Sequence, residues 1–236
     1  MSISTTYLVL QQQIADELGD RTDLLSPLSD SSLTLSPIKN AIQSAIAMWE
    51  REPFYFNEYY GISAFDTVAS QEFYTVTDLA AIATLPKIDK LHILVNNNRY
   101  TIYQRTWQYL EDISVNPSVV TSLPVDYAYF AEQIRLYPIP DGAYPITINA
   151  NQRLTALSAD GDANAWTQDG FDLIRAQAKL ILAQEVLHDT DLAAEAKTAI
   201  YGDPRMFGQQ NRGYLYALKA ETARRTGQGR IRPSFF

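Results

Sequence analysis

The sequence contains no cysteine and only two histidines, His92 and His188, among its 236 residues. Without cysteine there can be no disulfide, no thiolate zinc site and no cysteine nucleophile. No stretch approaches the roughly 18 consecutive apolar residues of a membrane-spanning helix, and the N-terminus lacks the basic and apolar regions of a secretory signal. We therefore expect a protein that is made in the cytoplasm and has no membrane partner.

Charged residues are also scarce, at 19% of the chain, and they are unevenly distributed. From Pro204 onward there are seven basic residues and one acid, a net charge of +6. Because the whole chain carries −8, the first 203 residues carry −14. A body this acidic repels nucleic-acid phosphates. The basic end indicates contact with an acidic partner, and a solvated end without a partner is the alternative.

The histidines and acids do not form a recognisable catalytic motif. Glu185 and His188 have the helical spacing with which a carboxylate and an imidazole share an iron, but a di-iron site needs a second such pair and the sequence has none. We therefore interpret His188 as a residue at a helix end, where the helix dipole favours it. Nucleophile elbows and phosphate-binding loops are also missing, so we predict that the protein is not an enzyme and uses no cofactor.

One segment begins like a calcium-binding loop. Asp160, Asp162 and Asn164 occupy its first three ligand positions. The glycine and the bidentate glutamate that should follow are replaced by Ala165 and Phe171, so the turn and the strongest ligand are both lost. We predict a turn that leads into a helix, without a metal.

The apolar periodicity predicts helices toward both ends of the chain and about five strands between them. The clearest helix starts with Ser36 as N-cap and Pro37 as first residue, and it ends before Pro53. Thr190 is the predicted cap of the helix 191–201. The other predicted helices cover residues 6–18, 105–113, 171–189 and 210–225. The strand-like segments are 54–60, 72–76, 88–95, 100–103, 133–137 and 144–150.

These elements predict an α+β fold, with a helical bundle core formed by the N- and C-terminal helices, a central β-rich insertion and an extended C-terminal tail. The predicted divisions are residues 1–53 and 158–225 for the helical core, 54–157 for the insertion and 226–236 for the tail. The tail combines arginines with aromatic residues, which are frequent hot spots of protein interfaces. We predict that it inserts into a groove of a partner protein. The candidate docking residues are Arg224, Arg225, Arg230, Ile231, Arg232, Pro233, Phe235 and Phe236.

Three segments together resemble the head-to-tail adaptor (connector) proteins of tailed bacteriophages, including those called tail tubular protein A. The first, residues 47–58, is a helix end followed by an aromatic stretch. The second runs from Gln133 to Asp141 and is followed by the strand-like Tyr144–Asn149, and the third comprises the helices from Phe171 onward with the basic tail.

The resemblance implies a structural virion protein that forms a ring, usually of twelve copies, in the neck between portal and tail. It further implies that the C-terminal tail docks onto the portal, that tail or nozzle proteins bind the other face, and that genomic DNA passes through the ring without being read. Two alternatives remain open: a tail-completion or nozzle protein, and a carbohydrate-binding tail protein or enzyme that uses the aromatic strands.

Overall fold

A computed structural model describes residues 5–27, 35–115, 121–203 and 212–225. The chain divides into two compact units. One unit contains the described residues up to Phe56 and from Leu154 onward, and the other is formed by Asn57–Arg153. The first is built from helices and the second mainly from strands. The bundle-core architecture stays a prediction.

The helical unit contains α1 (Tyr7–Glu17) and α2 (Pro37–Trp49), while α3 (Trp107–Ser114) belongs to the other unit. After the strands follow α4 (Ala165–Gln168), α5 (Phe171–Leu182), α6 (Thr190–Tyr201) and α7 (Tyr214–Arg225). One π-helical turn, Ala183–Leu187, extends α5. The predicted start of α2 is confirmed, since the Ser36 hydroxyl accepts a hydrogen bond from the amide of Lys39 and Pro37 is the first helical residue. None of the described helices is both long enough and apolar enough to cross a membrane.

The apolar faces of these helices meet in one core. Trp166 lies at its centre, fully buried, with the rings of Phe54 and Phe56 edge-on to it at centroid distances of 5.7 and 4.9 Å. This packing explains why the predicted strand 54–60 is wrong in its first half: residues 54–56 pack into the helical core, and the strand begins only at Glu58. Other large buried residues of this core include Tyr7, Leu10, Ile14, Ile38, Ile42, Trp49 and Ile174.

The second unit is a seven-stranded sheet. Its strands are β1 (Glu58–Asp66), β2 (Phe73–Tyr74), β3 (Lys87–Val95), β4 (Asn98–Gln104), β5 (Asp126–Phe130), β6 (Gln133–Tyr137) and β7 (Pro145–Asn151), in the spatial order β1-β7-β3-β4-β5-β6-β2. All neighbours are antiparallel except β4 and β5. The predicted turn between β3 and β4 is confirmed, because Asn96 and Asn97 both have positive φ. The core of the sheet unit is apolar and includes Ile88, Leu91, Ile146, Ile148 and Leu136.

Three further predictions differ from the structure. Strand β5 was not predicted: it forms a two-residue hairpin with β6, but the turn residues Ala131 and Glu132, both at positive φ, are not the glycine or asparagine that usually signals such a turn. The short helix α4 was also missed; Asn164 caps it. The cap of α6 is Asp189 rather than Thr190, since the Asp189 carboxylate accepts hydrogen bonds from the amides of Asp191 and Leu192 at 3.0 Å.

Candidate functional site

The predicted docking residues begin at the end of α7. Arg224 and Arg225 are the last two residues of this helix. The other six, from Arg230 to Phe236, lie outside the described residues. The structure therefore describes the base from which the tail leaves the helical unit, and that base is the candidate site.

Tyr55 holds the C-terminal turn of α7 against the helical core. Its backbone amide donates a hydrogen bond to the Thr222 hydroxyl at 3.2 Å. Its ring lies 3.8 Å from the Arg225 guanidinium, which is within cation–π distance. Its hydroxyl donates to the Asp169 carboxylate at 2.8 Å. The side chain thus connects α7 to the segment between α4 and α5.

Arg225 has a second partner on its own helix. Its Nε donates to the Glu221 carboxylate at 2.8 Å, one helical turn earlier. The hydrogen bond from Arg225 lowers the pKa of Glu221 below its ordinary value, and the same bond raises the pKa of Arg225. Both groups are therefore charged near neutral pH. Burial, followed by the hydrogen bond to Asp169, raises the pKa of Tyr55 to about 12, so its hydroxyl remains a donor.

Arg224 has a different environment from its neighbour. Its side chain is 79% exposed, and its contact with Glu221 is longer, at 3.6 Å. Lys219 points to the Glu52 carboxylate at 2.9 Å and adds a second attachment of α7 to the chain after α2. Sequence patterns do not distinguish the two arginines. In the structure Arg225 attaches α7 to Tyr55, whereas the Arg224 guanidinium is exposed to solvent.

The two histidines belong to different units. His188 follows the π-helical turn in a left-handed conformation with φ of 53°, and its Nδ1 lies 3.1 Å from the Gln184 carbonyl oxygen. The predicted helix-end position is confirmed. His92 lies in β3, with its Nδ1 3.3 Å from the Thr101 hydroxyl.

The calcium-like segment forms the predicted turn before a helix. The Asp162 carboxylate accepts hydrogen bonds from the amides of Ser158 and Ala159, and these bonds lower its pKa. Asp160 pairs with Lys39 at 2.8 Å, which lowers the pKa of that carboxyl too. Asp162 thus stabilises the turn, and Asp160 forms an ion pair with α2. In the part of the chain that the structure describes, no group of three or more potential ligands is arranged for a metal.

Sequence reasoning did not find Tyr55, Asp169 or Glu221. Tyr55 is 170 positions before Arg225, and the residues around it have the composition of a strand. No local pattern therefore indicates the contact between Tyr55 and Arg225. The spacing of Glu221 and Arg225, four residues apart on a helix, was the one available signal.

The family model of the SU10 adaptor protein matches residues 5–232, which is nearly the whole chain. None of the curated proteins matches this chain. The family match spans the helical unit, the sheet and most of the basic tail. The chain therefore belongs to the SU10 adaptor protein family and is a structural adaptor protein of a bacteriophage virion.

Proposed function

We propose that this chain is the subunit of an adaptor ring that joins the portal to the tail in the virion neck and surrounds the DNA exit channel. Membership of the adaptor family is the observation that carries this proposal. The head-to-tail adaptors that the sequence resembles form rings of twelve copies, and we propose the same number here. The proposed partners are further copies of the chain, the portal and the tail or nozzle proteins.

In this proposal the tail after α7 is the portal-docking segment. Tyr55 and Glu52 fix α7, so the tail leaves from a defined place on the helical unit. A fixed departure point reduces the cost of docking, because α7 itself needs no further ordering. Arg224 then lies at the border between the helical unit and the partner, where its exposed charge can pair with a portal carboxylate.

DNA would pass through the channel without base recognition, and the net charge of −14 on residues 1–203 disfavours its adhesion. We propose no catalytic activity for the chain. The role is mechanical: it connects two assemblies of the virion and leaves a passage between them.

Deletion of residues 226–236 tests the docking. We expect the shortened chain to keep the circular dichroism spectrum of the full chain and to lose co-sedimentation with its portal. A tail of the same length made of glycine and serine is the control for chain length, and it should fail as well. Unchanged co-sedimentation after the deletion would refute the docking assignment.

Arg224→Gln and Arg225→Gln form a matched pair for the same experiment. Arg224→Gln should weaken portal binding at unchanged melting temperature, because this side chain contributes little to the fold. Arg225→Gln should lower the stability of α7, because it removes the contacts to Tyr55 and Glu221. Equal effects of both changes on stability would contradict the different roles given to them.

A tail-completion or nozzle protein is the second candidate, since it is also a structural component of a virion. Such a protein would bind other tail components and would not bind the portal directly. The co-sedimentation experiment therefore separates the two candidates.

A further inference from the structure

Three aromatic rings form a row on the surface of the β unit. Phe73 on β2, Trp107 at the start of α3 and Phe130 at the end of β5 follow one another, with centroid distances of 5.9 and 5.5 Å. We call these three residues the aromatic ridge. Phe73 is 39% exposed and Phe130 is 61% exposed. Contiguous exposed aromatic surface of this kind marks interaction sites, and the portal docking described above does not use it.

The ridge is supported from below by one buried arginine. The guanidinium of Arg135 lies 5.5 Å from the Phe73 ring and 5.4 Å from the Trp107 ring. The same group donates to Glu72 at 2.5 Å, to Glu111 at 2.7 Å and to Ser114 at 2.8 Å. These bonds join β6 to α3 and to the residue just before β2, so the rings are held in place before any partner arrives. Such pre-organisation lowers the entropic cost of binding.

Two carboxylates border the ridge. Glu72 is adjacent to Phe73, and Glu111 belongs to the same helix as Trp107. Both pair with the single cation of Arg135, so one negative charge of this cluster remains uncompensated. Charge complementarity therefore favours an occupant that carries cations together with aromatic or aliphatic groups.

The rings do not suit a flat sugar. Neighbouring ring planes are tilted by 34° and 45°, so the surface is ridged rather than level. A ridged aromatic surface fits side chains that pack against its uneven outline, as aromatic anchors do at hot spots of protein interfaces.

One segment of this chain has the required composition. Residues 226–236 contain Arg230, Arg232, Phe235 and Phe236, together with Ile231 and Pro233, and they contain no acid. We propose that the aromatic ridge of one copy binds residues 226–236 of a second copy. The phenylalanine rings pack against the ridge, and the arginines pair with the acids around it.

This inference rests on the proposed function in one respect, because it gives the portal-docking segment a second, competing site. A copy that has not reached the portal keeps this segment on another copy. The portal then has to displace it.

Binding of a labelled peptide of residues 226–236 to the full chain, followed by fluorescence anisotropy, tests the proposal. We expect saturable binding that Phe130→Ser weakens by at least about tenfold, as expected for a hot-spot aromatic. Phe130 is more than half exposed, so this change leaves the fold intact, which circular dichroism can verify. Tyr100→Ser is the matched control, since Tyr100 is an exposed aromatic on β4 outside the ridge, and it should leave binding unchanged.

Tryptophan emission locates the contact. Trp49 and Trp166 are buried, whereas Trp107 is partly exposed, so a change in emission on peptide addition reports the ridge. Absence of peptide binding would overturn the inference, and so would equal binding to wild type and Phe130→Ser. An emission change with dextran in place of the peptide would also overturn it and would indicate a carbohydrate site.

The two proposals fail independently. If the peptide does not bind the ridge but the deletion of residues 226–236 abolishes portal binding, only the ridge inference fails. If the peptide binds the ridge but the deletion leaves portal binding intact, only the docking assignment fails.

Discussion

The chain just before α7 contains a glycine whose surroundings leave no space for a side chain. A Cβ atom added to Gly213 would lie 2.2 Å from the carbonyl oxygen of Ile200 and 2.5 Å from the amide nitrogen of Gly202. Both contacts are to backbone, so no side-chain rotation can relieve them. Gly213→Ala therefore requires the end of α6 and the start of α7 to move apart by about 1 Å, the shift that restores ordinary van der Waals contact.

The cost follows from the two ways in which the chain can respond. If α7 stays in place, the strain corresponds to an overpacked core, about 1–3 kcal/mol, and rigid backbone neighbours favour the upper end. If α7 detaches instead, the burial of Leu218 is lost, which costs about 1.5–3 kcal/mol. Either response lowers the free energy of unfolding by about 2–3 kcal/mol.

Gly161→Ala is the control, because a Cβ at this loop position would meet no atom within 4 Å. It should be neutral or stabilise by up to about 1 kcal/mol, through the lower entropy of the unfolded chain. Urea unfolding followed by circular dichroism measures both variants, and hydrogen exchange of the α7 amides shows whether this helix detaches. A Gly213→Ala variant as stable as Gly161→Ala would refute the close α6–α7 contact.

Two further predictions concern buried groups. Arg135→Met should destabilise the β unit by about 2 kcal/mol, less than the loss of a fully buried ion pair because Glu111 remains half exposed. Arg105→Met, at an exposed pair, should cost under about 1 kcal/mol. Equal urea midpoints for the two variants, followed by circular dichroism, would contradict this. Burial raises the pKa of both Tyr7 and Tyr127 to about 12. Their contribution to the free energy of unfolding should therefore be complete below about pH 10, where tyrosines of the unfolded chain begin to ionise. It should be lost as the pH rises toward 12. Tyrosinate absorbance and circular dichroism check this, and ionisation of every tyrosine near its ordinary pKa in the folded protein would be the contrary result.

Local patterns predicted the elements whose signals lie in neighbouring residues. The Ser36–Pro37 start of α2 and the strand Gln133–Tyr137 match the structure because capping and side-chain alternation are short-range effects. The tail with Arg224 and Arg225 was singled out by its composition, and its six remaining candidate residues stay predictions.

Other features depend on contacts between distant parts of the chain, and local patterns could not find them. The stretch Phe54–Asn57 has strand-like composition, yet the rings of Phe54 and Phe56 pack against Trp166 in the helical core. Arg135 lies within the segment from Gln133 to Asp141 that carries the resemblance, but an arginine that is almost completely buried runs against the usual surface position of this residue type. Its burial depends on the Glu72 and Glu111 carboxylates, which only the folded chain brings together.

Electron microscopy of the purified full-length chain mixed with its portal tests the adaptor assignment most directly. We predict that the full-length chain forms closed rings bound to the portal. The variant without residues 226–236 should leave the portal without such rings. Portal particles that stay bare while the full-length chain remains separate in solution would contradict it.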